Sequence, residues 1–210
     1  EGKGEIYDNA GEAGKNYVTW AHSNGYEVWA MVSNNSYIET TAEIMRDYNL
    51  RHELIENIVG LVLEYDLDGI NIDFEKVTAE NGIHFIQFLR ELSIECRNEG
   101  IVLSVDNYVP MAHSAHYDRA EQGAIADYVI VMGYDEHYNG SPEAGSVASL
   151  DFVRNGIVNT LASVPAEKLI NALPFYTRMW EEYVDENGQQ VLNSKAYTMK
   201  ASYDRVEELG

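Results

Sequence analysis

The sequence predicts an α/β fold built on a parallel sheet. Short apolar runs alternate with amphipathic helical patterns along most of its 210 residues, and this alternation is typical of βαβ units. Polar side chains gather where the apolar runs end, which is the edge at which closed parallel barrels carry their functional groups. No run is followed by the glycine-rich phosphate loop that is expected of a doubly wound open sheet. The predicted fold is therefore a TIM, or (β/α)8, barrel.

Five runs have the length and composition of buried strands. They are residues 26–33, 69–74, 101–108, 127–134 and 168–176. Between the second and third runs, residues 83–100 place apolar side chains mostly at helical spacing, and Gly100 stands where a helix commonly ends. These apolar positions are Ile83, Ile86, Phe88, Leu89, Leu92 and Cys96. Residues 181–199 predict a hairpin with Asn187 and Gly188 in its turn, and residues 202–210 predict a short helix.

The composition excludes several classes of partner. The chain carries 14 basic and 35 acidic residues, a formal net charge of −21, which argues against nucleic acid or an anionic membrane as a partner. Its single cysteine, Cys96, excludes an internal disulfide and argues against a zinc–thiolate cluster. No run is long enough to insert into a membrane as a span, and the first residues lack a signal-peptide pattern. Those residues look like a surface loop, so we expect the chain to be a piece of a longer protein.

The stretch DGINIDFE, residues 68–75, places two carboxylates and an amide inside an apolar strand. Because side chains alternate along a strand, Asn71, Asp73 and Glu75 share one face. The apolar face is formed by Ile70, Ile72 and Phe74. Burial and a neighbouring carboxylate both raise a carboxyl pKa, so Glu75 is predicted to act as a general acid, with Asp73 sharing a proton beneath it. The alternative is a buried polar ladder with no chemical role, which is costly to bury.

The same stretch resembles the signature of a known enzyme family. Asp68, Asn71, Asp73 and Glu75 match the D-x-x-D-x-D-x-E pattern of family 18 glycoside hydrolases, the chitinase-like TIM barrels. Gly69 follows the first acid of the pattern. Asn71 stands where most members have Asp.

Two later segments extend the resemblance over nearly the whole chain. The strand DYVIVMGYD matches the family's M-x-Y-D at Met132, Tyr134 and Asp135. The segment KLINALPFYTR is similar to the next strand of the family, with Thr177 where Gly is usual. The DGIN variant and the phrase LSVDNYVP look most like the bacterial cell-wall branch, which is related to spore cortex-lytic N-acetylglucosaminidases.

The resemblance implies a retaining glycosidase that cleaves β-1,4 bonds next to N-acetylglucosamine. The carbonyl oxygen of the substrate's N-acetyl group would attack the anomeric carbon, while Glu75 protonates the leaving oxygen and later activates water. By analogy, Asp73 would orient the acetamido N–H and stabilise the cationic intermediate. Tyr134 would bind the acetamido oxygen, and Asp135 would hold the sugar. Asn71 can hydrogen-bond Asp73 but cannot share its charge, so we expect a shifted pH optimum.

Other residues at the predicted rim are weaker candidates for substrate binding. Asn107 and Tyr108 end the strand after DGINIDFE, and contact with the sugar and a structural role stay equally open for them. Met132 belongs to the matched M-x-Y-D pattern. Tyr176 and Trp180 follow the last strand, and aromatic faces suit sugar rings, although packing explains Trp180 equally well.

Further residues near the predicted mouth have no assigned substrate contact. Asp106 and residues 33–35 stand at strand ends. Trp29 lies within a strand and is expected in the core. Three histidines lie in predicted loops: His113, His116 and His137. No second ligand stands at metal spacing, so neither a metal ion nor another cofactor is expected.

Two other functions stay open. Some members of the family are inactive and act as lectins, but they usually lack the terminal glutamate that this chain keeps as Glu75. A metal-dependent barrel hydrolase would instead use the acids to bind Mg²⁺ or Ca²⁺, and indifference of activity to EDTA would remove it. The sequence does not choose between chitin, peptidoglycan and protein-linked N-glycans. An extracellular or cell-wall location is expected.

The chain is shorter than the fold that it predicts. A (β/α)8 barrel typically takes about 250 residues, and alignment on the motif makes DGINIDFE the fourth strand, so strands one, two and eight have no counterpart. We expect residues 1–210 to be part of a family 18 catalytic domain, with residues 181–210 beginning an insertion between strands seven and eight. The open edges predict self-association or a segment that covers the gap, and weak activity of this chain alone.

Overall fold

A five-stranded parallel sheet forms the centre of the computed structural model, which describes residues 4–35 and 37–209. The strands are β1 (Trp29–Ser33), β2 (Gly69–Asp73), β3 (Val102–Tyr108), β4 (Tyr128–Met132) and β5 (Leu169–Ala172). Each strand pairs with the next one along the chain. The predicted α/β fold with a parallel sheet is confirmed. The sheet is wound in one direction, whereas a doubly wound sheet reverses its strand order near the middle.

Helices precede, connect and follow the strands along the described chain. They are α1 (Gly11–Ser23), α2 (Ile38–Arg46), α3 (Tyr48–Tyr65), α4 (Gly82–Glu99), α5 (Arg119–Ile125), α6 (Leu150–Leu161) and α7 (Met199–Leu209). Gly100 ends α4 in the left-handed conformation, with φ 73°, as predicted. In residues 4–35 and 37–209, no helix combines the length and the apolar character needed to cross a membrane.

The main hydrophobic core lies between one face of the sheet and helices α3 and α4. Ile70 and Ile72 of β2 are buried in it, and Phe74, just beyond the strand, stacks on Phe88 of α4 with ring centroids 5.4 Å apart. We call this side of the sheet the core face. Because strand residues alternate, Asn71 and its equivalents point to the other side, which we call the site face.

The apolar pattern predicted for α4 agrees with this core except at its start. Phe88, Leu89, Leu92 and Cys96 are buried there, and burial raises the pKa of the Cys96 thiol to about 12. Ile83 was predicted to share this stripe, but it is 74% exposed. It falls instead on the helix stripe of two other exposed residues, Arg90 and Ile94.

The C-terminal part of the chain forms a separate antiparallel hairpin of β6 (Tyr176–Val184) and β7 (Gln190–Thr198). The predicted turn is confirmed, with Gly188 at φ 79°. The hairpin begins earlier than residue 181, and the predicted strand 168–176 was wrong at its end: β5 stops at Ala172, and Tyr176 opens β6. Pro174 lies between them, and proline lacks the N–H that a continuing strand would donate.

Candidate active site

The acids of the DGINIDFE stretch lie beside an acid of the neighbouring strand. Strands β2 and β3 pair from Gly69 with Val102 to Ile72 with Val105, so the next positions, Asp73 and Asp106, stand side by side on the site face. Glu75 follows just beyond the end of β2. We call Asp73, Glu75 and Asp106 the acid cluster.

The backbone at Glu75 is held by a buried side chain of the preceding loop. The Asn34 amide oxygen accepts from the Glu75 N–H at 2.9 Å, and the Asn34 amide nitrogen donates to the Glu75 carbonyl oxygen at 2.9 Å. The Tyr108 hydroxyl donates to the Glu75 carboxylate at 3.1 Å. Glu75 is thereby fixed in position, and it lines an open cleft of about 390 Å³ together with Asp73, Asn34, Asn35 and Lys76.

Asp73 has an unused acceptor at the floor of this cleft. Its Oδ1 is buried, and no described residue donates a hydrogen bond to it. Burial, followed by the charge of Glu75, raises the pKa of Asp73 above its ordinary value. A buried acceptor without a donor is costly in a folded protein, so this oxygen is suited to receive a donor from a bound molecule.

Asn71 binds across to β3 and not along its own strand. Its amide nitrogen donates to Ser104 Oγ at 3.0 Å and to Asp106 Oδ1 at 3.2 Å. The expected hydrogen bond between Asn71 and Asp73 is absent from the described contacts, because the strand register sets Asn71 opposite Ser104. Asp106 is largely buried. Burial, partly offset by the Asn71 amide and reinforced by Asp73 and Glu75, raises the pKa of Asp106 to about 6.

Three residues predicted to bind substrate meet beyond the ends of β4 and β5. The Tyr176 hydroxyl donates to Asp135 Oδ1 at 2.6 Å, and the Tyr134 and Tyr176 rings meet edge to face with centroids 6.3 Å apart. Burial, followed by the charges of Asp106 and Asp73, raises the pKa of Tyr134 to about 12. Tyr134 therefore belongs to the same electrostatic environment as the acid cluster. Met132 is buried at the end of β4.

Two of the predicted binding residues are not brought to the cluster. Asn107 points to the core face, where its fully buried amide exchanges hydrogen bonds with Gln122 of α5, at 2.6 Å and 3.2 Å. Because side chains alternate along β3, Asp106 and Tyr108 point to the site face instead. The Trp180 indole N–H donates to the Gly145 carbonyl oxygen at 2.9 Å, which ties the hairpin to the loop after β4.

The first two residues of the motif, Asp68 and Gly69, lie at the start of β2, at the end of the strand away from the acid cluster. The Asp68 carboxylate accepts from the Val28 N–H at 2.7 Å and lies 2.9 Å from His22 Nε2. Although partial burial acts the other way, these contacts lower the pKa of Asp68. Gly69 leaves room for Trp29, since a Cβ there would lie 2.7 Å from the Trp29 ring. Trp29 itself is outside the main core and stacks on Tyr128 at 5.2 Å.

The histidines near the rim have separate partners. The His116 ring contacts the Val77 carbonyl oxygen at 2.5 Å, and the His137 ring contacts the Ser146 carbonyl oxygen at 2.9 Å. His113 is exposed. In the part of the chain that the structure describes, no three His, Cys, Asp or Glu side chains are grouped so that they could hold a metal ion.

Sequence reasoning assigned no role to two residues that shape the site, Asn34 and Asp106. Asp106 could have been found only with the strand register, because Asp106, Asn107 and Tyr108 are consecutive polar residues and the pairing of Asn71 with Ser104 decides which of them face Asp73. Asn34 carries no comparable signal, since its partner is the backbone of a residue far away in the sequence.

Paired acids and tyrosines gather at the carboxyl edge of a singly wound parallel α/β sheet, which is the edge at which closed parallel barrels carry their functional groups. The chain belongs to the glycosyl hydrolases family 18, whose family model matches residues 5–209.

The relatives of the chain include Bacillus proteins and chitinases. It is 31% identical over 185 residues to the Bacillus subtilis (strain 168) protein named "Putative sporulation-specific glycosylase YdhD", covering 84% of this chain and 43% of that protein. The "Cortical fragment-lytic enzyme" of Bacillus anthracis is 26% identical over 156 residues, covering 71% of this chain and 36% of that enzyme. The chain thus spans less than half the length of these two relatives.

Solved structures give the same architecture. The crystal structure of ydhD from Bacillus subtilis superposes with a TM-score of 0.86 at 26% identity, covering 98% of this chain and 70% of that one. A chitinase from Chromobacterium violaceum ATCC 12472 superposes with a TM-score of 0.84 at 21% identity, covering 98% and 65%. The latter shows likeness of fold alone.

Proposed function

We propose that this chain carries the site of a glycosidase that cleaves β-1,4 bonds next to N-acetylglucosamine by substrate-assisted retaining catalysis. The observation that carries the proposal is the buried, undonated Oδ1 of Asp73 beside the fixed carboxyl group of Glu75. A 2-acetamido sugar supplies the missing N–H donor, and Glu75 stands where the glycosidic oxygen would need a proton.

Each residue has a role that follows from its contacts. Asp73 accepts the acetamido N–H and turns the acetamido carbonyl oxygen towards the anomeric carbon. As that oxygen attacks, Glu75 gives its proton to the leaving oxygen, and it then removes a proton from the water that opens the cyclic intermediate. Tyr134 remains protonated because its pKa is about 12, so its hydroxyl donates to the acetamido oxygen. Asp135 and Tyr176 form a hydrogen-bonded wall for the sugar.

The substrate class proposed is a polymer of 2-acetamido sugars, either chitin or peptidoglycan. The names of two relatives, the cortical fragment-lytic enzyme of Bacillus anthracis and the probable chitinase 10 of Drosophila melanogaster, support both. An extracellular or cell-wall location is proposed because these polymers lie there. No cofactor enters the proposed steps.

We further propose that the five strands correspond to strands three to seven of a (β/α)8 barrel. The one-directional strand order supports this. Residues 1–210 would then be part of the catalytic domain, and the hairpin that includes residues from 181 onwards would begin an insertion before the eighth strand. The strands at the two edges, β1 and β5, would be the surfaces for self-association.

The test is digestion of purified chitin and purified peptidoglycan by the 210-residue chain and by any longer natural protein that contains it. Mass analysis of the released ends should find new N-acetylglucosamine reducing ends. Glu75→Gln should lower turnover by a hundredfold or more, the usual loss on removing a general acid, while sugar binding persists. Glu167→Gln, a substitution of an exposed acid, is the matched control.

Three results would contradict the proposal. Activity of Glu75→Gln above about a tenth of the wild-type rate would remove Glu75 as the acid. Binding of both polymers without cleavage by any form of the protein would identify a sugar-binding module. Loss of activity on addition of EDTA would point to a metal-dependent hydrolase.

A further inference from the structure

Two neighbouring side chains on the site face, Asn71 and Asp106, together differ from the family signature: one lacks an acid, and the other supplies one. Position 71 of β2 holds an amide where the signature has an acid. One strand away, Asp106 holds a carboxylate that accepts the Asn71 amide N–H at 3.2 Å. The acid that β2 lacks is thus present on β3, within hydrogen-bond distance of the side chain that replaced it.

The surroundings of Asp106 couple its charge to the acids of β2. On the β2 side it faces Asn71, Asp73 and Glu75, and on the β4 side it faces Tyr134. Its register neighbour on β4, Ile130, is apolar. Among the described residues, no cationic side chain forms an ion pair with any member of the acid cluster. Three negative charges in one largely buried group are strongly disfavoured.

We infer that Asp106 is a positioning residue that, through Asn71 and through its charge, sets the ionisation of Asp73. This inference rests on the proposed function, in which Asp73 must be charged to hold the acetamido N–H. When Asp106 holds a proton, Asp73 has one negative neighbour fewer and ionises more readily. When Asp106 is charged, its charge opposes that of Asp73. The two acids therefore titrate as a pair.

The hydrogen bond from Asn71 gives this pair its geometry. An amide cannot exchange a proton with Asp106, so Asn71 holds the Asp106 carboxylate in place without competing for the proton. Ser104 Oγ accepts the same amide group at 3.0 Å and fixes its orientation. The Asn71 amide on β2 and the Asp106 carboxylate on β3 therefore take the place of an acid that the family signature has at position 71 of β2.

The test exchanges the two side chains. The variants are Asp106→Asn, Asn71→Asp and the double exchange Asn71→Asp with Asp106→Asn, which restores the acid to β2 and keeps the number of carboxylates. Glu167→Gln is the matched control, because it removes one exposed carboxylate and leaves Asn71, Ser104 and Asp106 unchanged. Carbon-13 NMR of labelled aspartate carboxyl groups measures the titration of Asp73 in each protein, and the pH profile of kcat on a chitooligosaccharide is measured in parallel.

Asp106→Asn should leave Asp73 ionising as it does beside a protonated Asp106, because asparagine is also neutral, and should remove the ionisation of Asp106 from the carboxyl titrations and from the pH profile. Asn71→Asp alone should raise the pKa of Asp73. The double exchange should return both the Asp73 titration and the pH profile towards wild type. Glu167→Gln should leave the titration of Asp73 unchanged.

The inference is overturned if the Asp73 carboxyl signal and the pH profile of Asp106→Asn keep the ionisation that the wild type shows for Asp106, or if the double exchange behaves like Asp106→Asn alone. Circular dichroism checks folding, and Asp106→Ser replaces any variant that does not fold. A wild-type protein that cleaves no 2-acetamido polymer would refute the proposed function, while the NMR titration would still decide whether Asp106 controls Asp73.

Discussion

Replacing Asp106 with asparagine should stabilise the protein at neutral pH, because Asp106 is an acid whose charge the folded state disfavours. Burial first, and then the charges of Asp73 and Glu75, raise its pKa from 3.8 to about 6. A group with a raised pKa binds its proton more tightly in the folded state, so stability falls as the pH rises between 3.8 and about 6. Below this window Asp106 is neutral in both states, and the penalty disappears.

The size of the effect follows from the same shift. Two pKa units at 1.36 kcal/mol each amount to about 3 kcal/mol once Asp106 is fully charged. Asparagine keeps an oxygen that can accept the Asn71 N–H but carries no charge. Asp106→Asn should therefore gain about 2 kcal/mol over wild type between pH 4 and pH 8, since part of the window lies below pH 4.

Urea denaturation followed by tryptophan fluorescence at both pH values measures this gain. With a typical urea dependence, the midpoint difference between variant and wild type should grow by about 1 M from pH 4 to pH 8. Asp185→Asn is the control of opposite sign: the N–H groups of Gln189 and Asn187 lower the pKa of Asp185, so this variant should be less stable than wild type at pH 8 and not at low pH. A midpoint difference for Asp106→Asn that does not change with pH would refute the reasoning.

Three further predictions test the site and the sheet. A substrate with a free amine in place of the N-acetyl group at the cleaved sugar should not react, and a thiazoline mimic of the cyclic intermediate should bind far more tightly than the sugar; efficient cleavage of the amine would point to Asp135 as a nucleophile. Asn34→Ala should lower stability by about 1–3 kcal/mol, because it leaves the Glu75 N–H unpaired, and should lower kcat; unchanged melting and turnover would contradict this. Light scattering should detect self-association of the isolated chain, and a soluble monomer with a sharp thermal transition would exclude it.

The parts of the fold that depend on local chemistry were predictable from the sequence. Alternation along DGINIDFE assigned Ile70 and Ile72 to the core face and the acids to the other. The left-handed glycine after α4 and the Asn187–Gly188 turn were also predictable from the sequence, because few residues other than glycine adopt these conformations readily. In each case the determining interaction lies within a few residues of the signal.

The parts of the fold that depend on strand register were not predictable from the sequence. Asp106, Asn107 and Tyr108 are consecutive polar residues, so alternation within β3 does not say which of them share a face with Asp73. Only the pairing of Asn71 with Ser104 decides it, and it sends Asn107 to Gln122. The partnership between Asn34 and Glu75 likewise joins a loop to a distant backbone, which no periodicity encodes.

The sheet edge and the chemistry of the site are physically linked through β1. Met31 and Ser33 lie on the site face of β1, in register with Asn71 and Asp73, and Met31 is 62% exposed. An apolar residue so open beside Asn71, two positions before Asp73, shows that this edge of the site face is open to water. Any element that covers the edge of β1, whether another segment or a second copy, removes this water as well as apolar surface. Because desolvation is the largest cause of the raised pKa of Asp73, covering the edge would raise it further. The covering of β1 would therefore tune the acid pair as well as stabilise the sheet.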